Sequence, residues 1–212
     1  MAGILRAVVA VLASYLIGSI PTAYLVGKLI GKIDIREIGS GNVGATNILR
    51  TFGVKPGVTV LFIDALKGVI PVLIISTLLW NSSVPFPLTT LKVFCFLGAL
   101  CGHLWPVFLR FKGGKGVATS AGGLLALHPP AFLVSGAVFF VTVAFTRYIS
   151  LGSVLAAVTL PVCLLIMHAP AMIIFIGILA AILVIVRHRA NISRLLRGDE
   201  KKLGEKVSVH ER

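Results

Sequence analysis

Three polar segments carry residue types that could do chemistry, and each is suited to receiving an anion. The first runs Gly39-Ser40-Gly41-Asn42-Val43-Gly44-Ala45-Thr46-Asn47-Ile48-Leu49-Arg50. Its glycines let the backbone turn back and aim successive N–H groups at one spot. Ser40, Asn42, Thr46 and Asn47 add neutral polar groups, and Arg50 adds a guanidinium fork that can grip a phosphate with two bonds. A short helix opening at Gly44 or Ala45 would add its N-terminus to the same cradle. An ordinary turn between helices would not need this density of donors. The spacing is not that of a P-loop, since G-x-x-x-x-G-K-[ST] is absent.

The second segment couples Gly102-His103-Leu104-Trp105-Pro106 to Phe111-Lys112-Gly113-Gly114-Lys115-Gly116-Val117-Ala118-Thr119. Two lysines among three glycines, just ahead of an apolar helix, make another anion cradle. Amides can approach a phosphate closely there, and the ammonium groups act as point charges. The plainer alternative is a basic loop with flexible glycines, and His103 reads first as a helix-end residue. The third segment runs from Arg187-His188-Arg189-Ala190-Asn191 through Arg194 to Glu200. On a continuous helix His188, Asn191 and Leu195 share one face, as do Arg187, Asn191 and Arg194. A basic anchor for anionic lipids would explain the charge but not the interleaved Asn and His. Asp64 and Lys67 stand at i, i+3 inside an apolar run, where pairing lowers the cost of burial and serves a structural clamp equally well.

What is missing narrows the chemistry. The sequence holds no H-x4-D box, no G-x-S-x-G elbow and no cysteine beside a loop histidine. Its only aspartates are Asp34, Asp64 and Asp199, so a multi-aspartate magnesium site is not expected and hard ligands for any metal are few. No metal and no cofactor are expected. The chemistry that remains is positioning and charge stabilisation of anions, without a covalent enzyme intermediate.

These loops need a scaffold, and composition says which. The 212 residues are 57% hydrophobic and only 13% charged, with a mean hydropathy of +1.02. A soluble domain has about one quarter charged residues, so lipid is the solvent that suits this chain. Cys95, Cys101 and Cys163 fall inside apolar runs and read as small packing residues. A net charge of +13 would suggest nucleic acid in a soluble protein. Here the basic residues occupy short loops between apolar runs, so no nucleic-acid partner is expected, and the charge sets topology and meets anionic ligands.

A span takes about 20 apolar residues. Residues 4–30, 58–80, 88–109, 131–145, 149–167 and 170–186 qualify, and 116–127 is a short span or a broken helix. The first run is too long for a signal-peptide core and is read as a retained span. Pro161 and Pro170 argue against fusing the last two runs into one helix. With seven spans, 17 of the 20 Lys and Arg fall on one side, which the positive-inside rule makes cytoplasmic. The expectation is an all-α integral membrane protein of about seven transmembrane helices, one short or broken, with the N-terminus outside and the C-terminus cytoplasmic. Residues 1–200 would form a single polytopic domain and 201–212 a charged cytoplasmic tail.

Together these segments resemble the PlsY family, the bacterial acyl-phosphate:glycerol-3-phosphate acyltransferases. The first is similar to that family's G-S-x-N-x-G-A-T-N-x-x-R motif and the second to G-H-x-x-P followed by F-K-G-G-K-G-V-A-T. The third is similar to R-H-x-x-N-I-x-R-L-x-x-G-x-E, and Ile63-Asp64-Ala65-Leu66-Lys67-Gly68 also resembles the family's second span. The match covers nearly the whole chain, in order, with no departure at a key position. The resemblance implies a seven-helix enzyme of the bacterial inner (cytoplasmic) membrane with its active site facing the cytoplasm. It would move a fatty acyl group from a long-chain acyl phosphate to the 1-hydroxyl of glycerol 3-phosphate in phospholipid biosynthesis. The products would be 1-acylglycerol 3-phosphate (lysophosphatidic acid) and inorganic phosphate, and the partners would be the two substrates and membrane lipid.

On the matched positions, Ser40, Arg50, Lys112 and/or Lys115, His188 and Asn191 are expected at glycerol 3-phosphate. Thr46, Asn47 and the amides of Gly113, Gly114, Lys115 and Gly116 are expected at the acyl phosphate. Asn42 joins the substrate-binding set, and Glu200 is expected to orient a basic residue. His188 could take the hydroxyl proton, but the departing phosphate is the preferred base, because no loop carboxylate stands near the cradles. A small anion or phospholipid transporter is the alternative from another class, although no inverted repeat is visible; a lysophosphatidate phosphatase would use the same cradles. The charge pattern makes a direct prediction in a cysteine-free background. Lys112→Cys and Arg197→Cys should react with an impermeant maleimide from the cytoplasmic side, and Ser82→Cys from the opposite side. Labelling of Lys112→Cys and Arg197→Cys from different faces would refute a shared side.

Overall fold

A computed structural model describes residues 1–205, so the expected tail at 201–212 lies outside the described residues except for its first five positions. Among the described residues every regular element is helical. The elements are α1 (Ala2–Ser19), α2 (Thr22–Gly31), α3 (Ala45–Phe52), α4 (Val54–Ile70), α5 (Ser76–Leu79), α6 (Leu88–Leu104), α7 (Val117–Leu127), α8 (Pro129–Thr146), α9 (Ile149–Ile166), α10 (Ala171–Arg187) and α11 (Arg189–Arg197). Ala2–Gly31, Val54–Leu79, Leu88–Leu109, Pro129–Thr146 and Ile149–Ile166 are long and apolar enough to cross a membrane. The α10–α11 pair, bent by 56°, makes a sixth such stretch, and α7 is shorter. At 11 residues α7 is about 16 Å long, roughly half of a hydrocarbon core.

Prolines set the breaks. The residue before a proline is pushed towards extended backbone, and Ile20 takes φ −58°, ψ 116° ahead of Pro21. The apolar run at 4–30 is therefore two helices in the structure, a break that hydropathy does not reveal. Pro71 instead opens a wider turn over Pro71–Ile75, and the helical path continues into α5. Pro161 is accommodated inside α9, while Pro170 caps α10, so only the second of these prolines separates two helices.

The chain forms two compact units, Met1–Ala126 and Leu127–Glu205. In the first, α6 is the most buried span and packs along α1. Gly98 and Gly102, four residues apart, let α6 approach the α1 backbone: a Cβ on Gly102 would lie 2.1 Å from the Tyr15 carbonyl oxygen. Close packing of this kind drives helix association in lipid, where apolar side chains gain nothing by leaving one apolar medium for another. Gly122 and Gly123 do the same for α7, against Ala65 of α4 and the Phe96 ring of α6. In the second unit α8 and α10 both pack on α9, and α11 reaches back to α9. Large apolar side chains such as Leu5, Phe62, Phe140 and Phe175 point outward, as a lipid solvent requires.

The packing predicts an asymmetry between two glycines. Gly102→Ala should lower the melting temperature in detergent, by the ~1–3 kcal/mol typical of overpacking. Gly136→Ala, where a Cβ meets nothing within 4 Å, should be neutral or slightly stabilising. Equal effects would mean that the α1–α6 approach is loose.

Candidate active site

The first polar loop is pinned from beneath by apolar residues. Ile35 and Val43 are buried in a cluster with Ala23 of α2, Ile48 of α3, Val60 of α4 and Leu109. Above it, Gly39 (φ +62°) and Gly41 (φ +67°) take the left-handed backbone that reverses the chain. Asp34 starts the loop, capping a single turn at Ile35–Glu37. Its carboxylate accepts from the Arg36 guanidinium at 2.6 Å, which holds Asp34 below its ordinary pKa. Gly44 is extended and α3 opens at Ala45, so the helix N-terminus faces back into the loop.

Asn47 closes this loop. Its side chain accepts from the Ser40 N–H at 3.1 Å and donates to the carbonyls of Ile35 at 3.2 Å and Ile38 at 3.0 Å. It is only 1% exposed, and each of these bonds goes to the loop's own backbone. The geometry therefore gives Asn47 a loop-shaping task. Ser40 is exposed, Asn42 and Thr46 are half-buried, and Arg50 is buried one turn further along α3.

The second loop hangs from the end of α6. The Gly113 N–H donates to the Leu104 carbonyl and the Gly114 N–H to the His103 carbonyl, both at 3.2 Å. These bonds answer carbonyls at the α6 C-terminus. Both amides thus serve the helix end. α7 opens at Val117, directly after Lys115 and Gly116, and Lys112 is exposed. Gly114 also marks where the two loops touch: a Cβ there would lie 2.6 Å from the Val43 carbonyl oxygen and 2.4 Å from His103 Nε2. A pocket opens beside this contact, lined by Val43, His103, Gly113, Gly114, Asp64 and Lys67 among others.

The charged pair expected in the second apolar run is present. Lys67 donates to Asp64 Oδ1 at 2.6 Å and also to the carbonyl of Ile20, at the α1–α2 break. Thr119 of α7 donates to the Asp64 carbonyl at 3.0 Å. Sequence reasoning did not assign Thr119 a task, although it stands inside the second motif; its partner lies 55 residues away.

In the second unit the third motif is split by a bend. His188 sits between α10 and α11, buried, with Nδ1 2.7 Å from the Val184 carbonyl oxygen. A carbonyl can only accept, so Nδ1 carries the proton in that contact. Gly198, at φ +78°, ends α11 and turns the chain back, which returns Glu200 to the helix it follows. Glu200 accepts from Asn191 at 2.6 Å, Ser150 at 2.7 Å and Arg194 Nε at 2.7 Å. The basic residue that Glu200 orients is thus Arg194. Ser150, from α9, was missed, since no local pattern links positions 50 residues apart. Burial pushes the Glu200 carboxyl up, but the bonds from Asn191, Ser150 and Arg194 and the Arg194 charge outweigh it, leaving a pKa below the ordinary value.

Residues 8–198 match the sequence model of a family described as glycerol-3-phosphate acyltransferase. The chain is 49% identical to glycerol-3-phosphate acyltransferase 2 of Moorella thermoacetica, over 93% of this chain and 97% of that protein. It is 50% identical to the glycerol-3-phosphate acyltransferase of Trichlorobacter lovleyi, over 89% and 93% of the two chains. Among solved structures it is similar to PlsY (YgiH), an integral membrane glycerol 3-phosphate acyltransferase, in its glycerol 3-phosphate form. That similarity has a TM-score of 0.85 and 41% identity, covering 93% of this chain and 96% of that one. The lysophosphatidic acid form of PlsY gives a TM-score of 0.81 at 40% identity, with 94% and 96% covered.

The Glu200 cluster predicts a pH-dependent stability term. A carboxyl whose pKa is lowered by folding stabilises the folded state fully above its unfolded pKa, and loses that contribution as pH falls through the folded value. Glu200→Gln should therefore melt lower than the wild type at neutral pH, by the ~1.5–3 kcal/mol of a charged hydrogen bond. The gap should narrow only once pH drops below the ordinary carboxylate range. A gap independent of pH down to strong acid would show that the ionised form of Glu200 contributes nothing.

Proposed function

The chain belongs to the glycerol-3-phosphate acyltransferase family, and from that premise we propose that it transfers a fatty acyl group from a long-chain acyl phosphate to the 1-hydroxyl of glycerol 3-phosphate. The oxygen of that hydroxyl attacks the acyl carbon, the bond from acyl carbon to phosphate oxygen breaks, and lysophosphatidic acid and inorganic phosphate leave. The protein is a multi-pass membrane protein; we place it in the bacterial inner membrane with the polar loops facing the cytoplasm, which the charge distribution supports.

The observation that carries this reading is the contact of the two loops at Gly114 and Val43. It brings the loop that leads into Thr46 and Arg50 against the loop that carries Lys112 and Lys115, and this supports two anionic substrates meeting on adjoining cationic segments. Ser40, Arg50 and Lys112 hold glycerol 3-phosphate, with Asn42 at the rim. Thr46, Lys115 and the opening of α7 at Gly116 and Val117 hold the acyl phosphate, whose charge suits a helix N-terminus. Asn47, Gly113 and Gly114 contribute by shaping the loops. Within the second unit, His188 and Asn191 are candidate substrate residues by the motif they belong to, and Glu200 fixes the Asn191 amide. An acyl phosphate is a mixed anhydride and already activated. Holding the reactants together and balancing phosphate charge are then the main tasks, and the departing phosphate takes the hydroxyl proton.

Purified protein given palmitoyl phosphate and glycerol 3-phosphate should yield lysophosphatidic acid and phosphate in equal amounts. Phosphate without lysophosphatidic acid would make it a hydrolase and overturn the proposal. Arg50→Ala should lower kcat/KM for glycerol 3-phosphate about a hundredfold, as loss of a charged bond of ~3 kcal/mol would. Arg50→Lys should recover part of that, since charge is kept and the fork is lost.

A further inference from the structure

We infer that His103 is a positioning residue for the second loop, holding it where a phosphate ligand meets Lys115 and the α7 N-terminus; its assignment to the acyl phosphate rests on the acyl-transfer reading above. The inference starts from a hydroxyl. Thr119 is fully buried, donates to the Asp64 carbonyl at 3.0 Å, and lies 3.2 Å from His103 Nδ1. A hydroxyl has one proton, and the Asp64 carbonyl has none to give. Thr119 must therefore accept from His103, which puts the ring proton on Nδ1. The Nε2 edge of the ring faces the loop, where a Cβ on Gly114 would lie 2.4 Å from Nε2.

His103 grips the same loop a second time through its backbone, since its carbonyl takes the Gly114 N–H at 3.2 Å. The ring is in turn fixed from α7 and α4. Thr119 is tied to the Asp64 carbonyl, the Asp64 carboxylate to Lys67, and Lys67 to the Ile20 carbonyl at the α1–α2 break. A connected polar chain in a buried setting has few alternative arrangements, so it transmits a fixed geometry. The loop that carries Lys112 and Lys115 thereby takes its place from helices α1, α4, α6 and α7. A helix-end histidine with only a packing role would need none of this.

Thr119→Val removes the acceptor for Nδ1–H at nearly constant volume, Thr119→Ser keeps it, and His103→Ala removes the ring. Thr119→Val and His103→Ala should raise KM for palmitoyl phosphate tenfold or more and, through Lys112 on the same loop, KM for glycerol 3-phosphate by a smaller factor. Thr119→Ser should return the first KM to within about threefold of wild type. Folded variants with an unchanged KM for palmitoyl phosphate, or with equal losses on both substrates, would overturn the inference. So would failure of both Thr119→Val and His103→Ala to fold, because the contact would then be structural. A wild type that turns nothing over would remove the acyl-transfer reading alone. Calorimetric titration with palmitoyl phosphate would still decide the role of His103, with a tenfold weaker Kd in Thr119→Val expected and an equal Kd refuting it.

Discussion

Lipid offers no water to a backbone group that loses its helical partner, so every interruption of a helix near the membrane has to be answered from within the protein. That constraint orders the first unit. Pro21 breaks the opening span, and the exposed Ile20 carbonyl is met by the Lys67 ammonium. Burying that ammonium calls for a counter-charge, which Asp64 supplies one helical turn away. The α6 C-terminus has carbonyls to satisfy, and the amides of Gly113 and Gly114 meet two of them. The first loop, reversed by Gly39 and Gly41, leaves the Ile35 and Ile38 carbonyls to the amide of Asn47. Polar residues that look like an assembly of ligands are in part the bonds that let a non-helical chain exist there.

The same constraint explains which parts of the molecule were legible in the sequence. Apolar runs locate the long helices because a span needs a minimum length of them, and the apolar segment at 116–127 marks the short α7. Asp64 and Lys67 were legible because their pairing is a matter of i, i+3 spacing on one helix. The break inside residues 4–30 was not, since hydropathy averages over Pro21. The loop-closing bonds of Asn47 were not legible, because its partners are backbone groups brought to it by a chain reversal, and no side-chain pattern announces them. Thr119 and Ser150 were opaque for a related reason: each hydroxyl finds its partner on a different helix. Gly113 and Gly114 stood out as glycines for the right reason, close approach, though what approaches is the α6 end, the His103 ring and Val43.

Charge then separates scaffold from chemistry. Asp64 and Glu200 are buried carboxylates, and both are committed: Asp64 to Lys67, and Glu200 to Asn191, Ser150 and Arg194. A carboxylate that accepts three such bonds is a weaker base than a solvated one, because each bond stabilises the ionised form it would have to leave. General-base work is thus the least suitable task for Glu200, and fixing the Asn191 amide is the task its geometry performs. An activated acyl donor asks for little base strength in any case. The proposed reaction asks that two anions be held at one place against their mutual repulsion, a demand that Lys112 and Lys115 on the second loop and Arg50 on α3 would meet with little reorganisation.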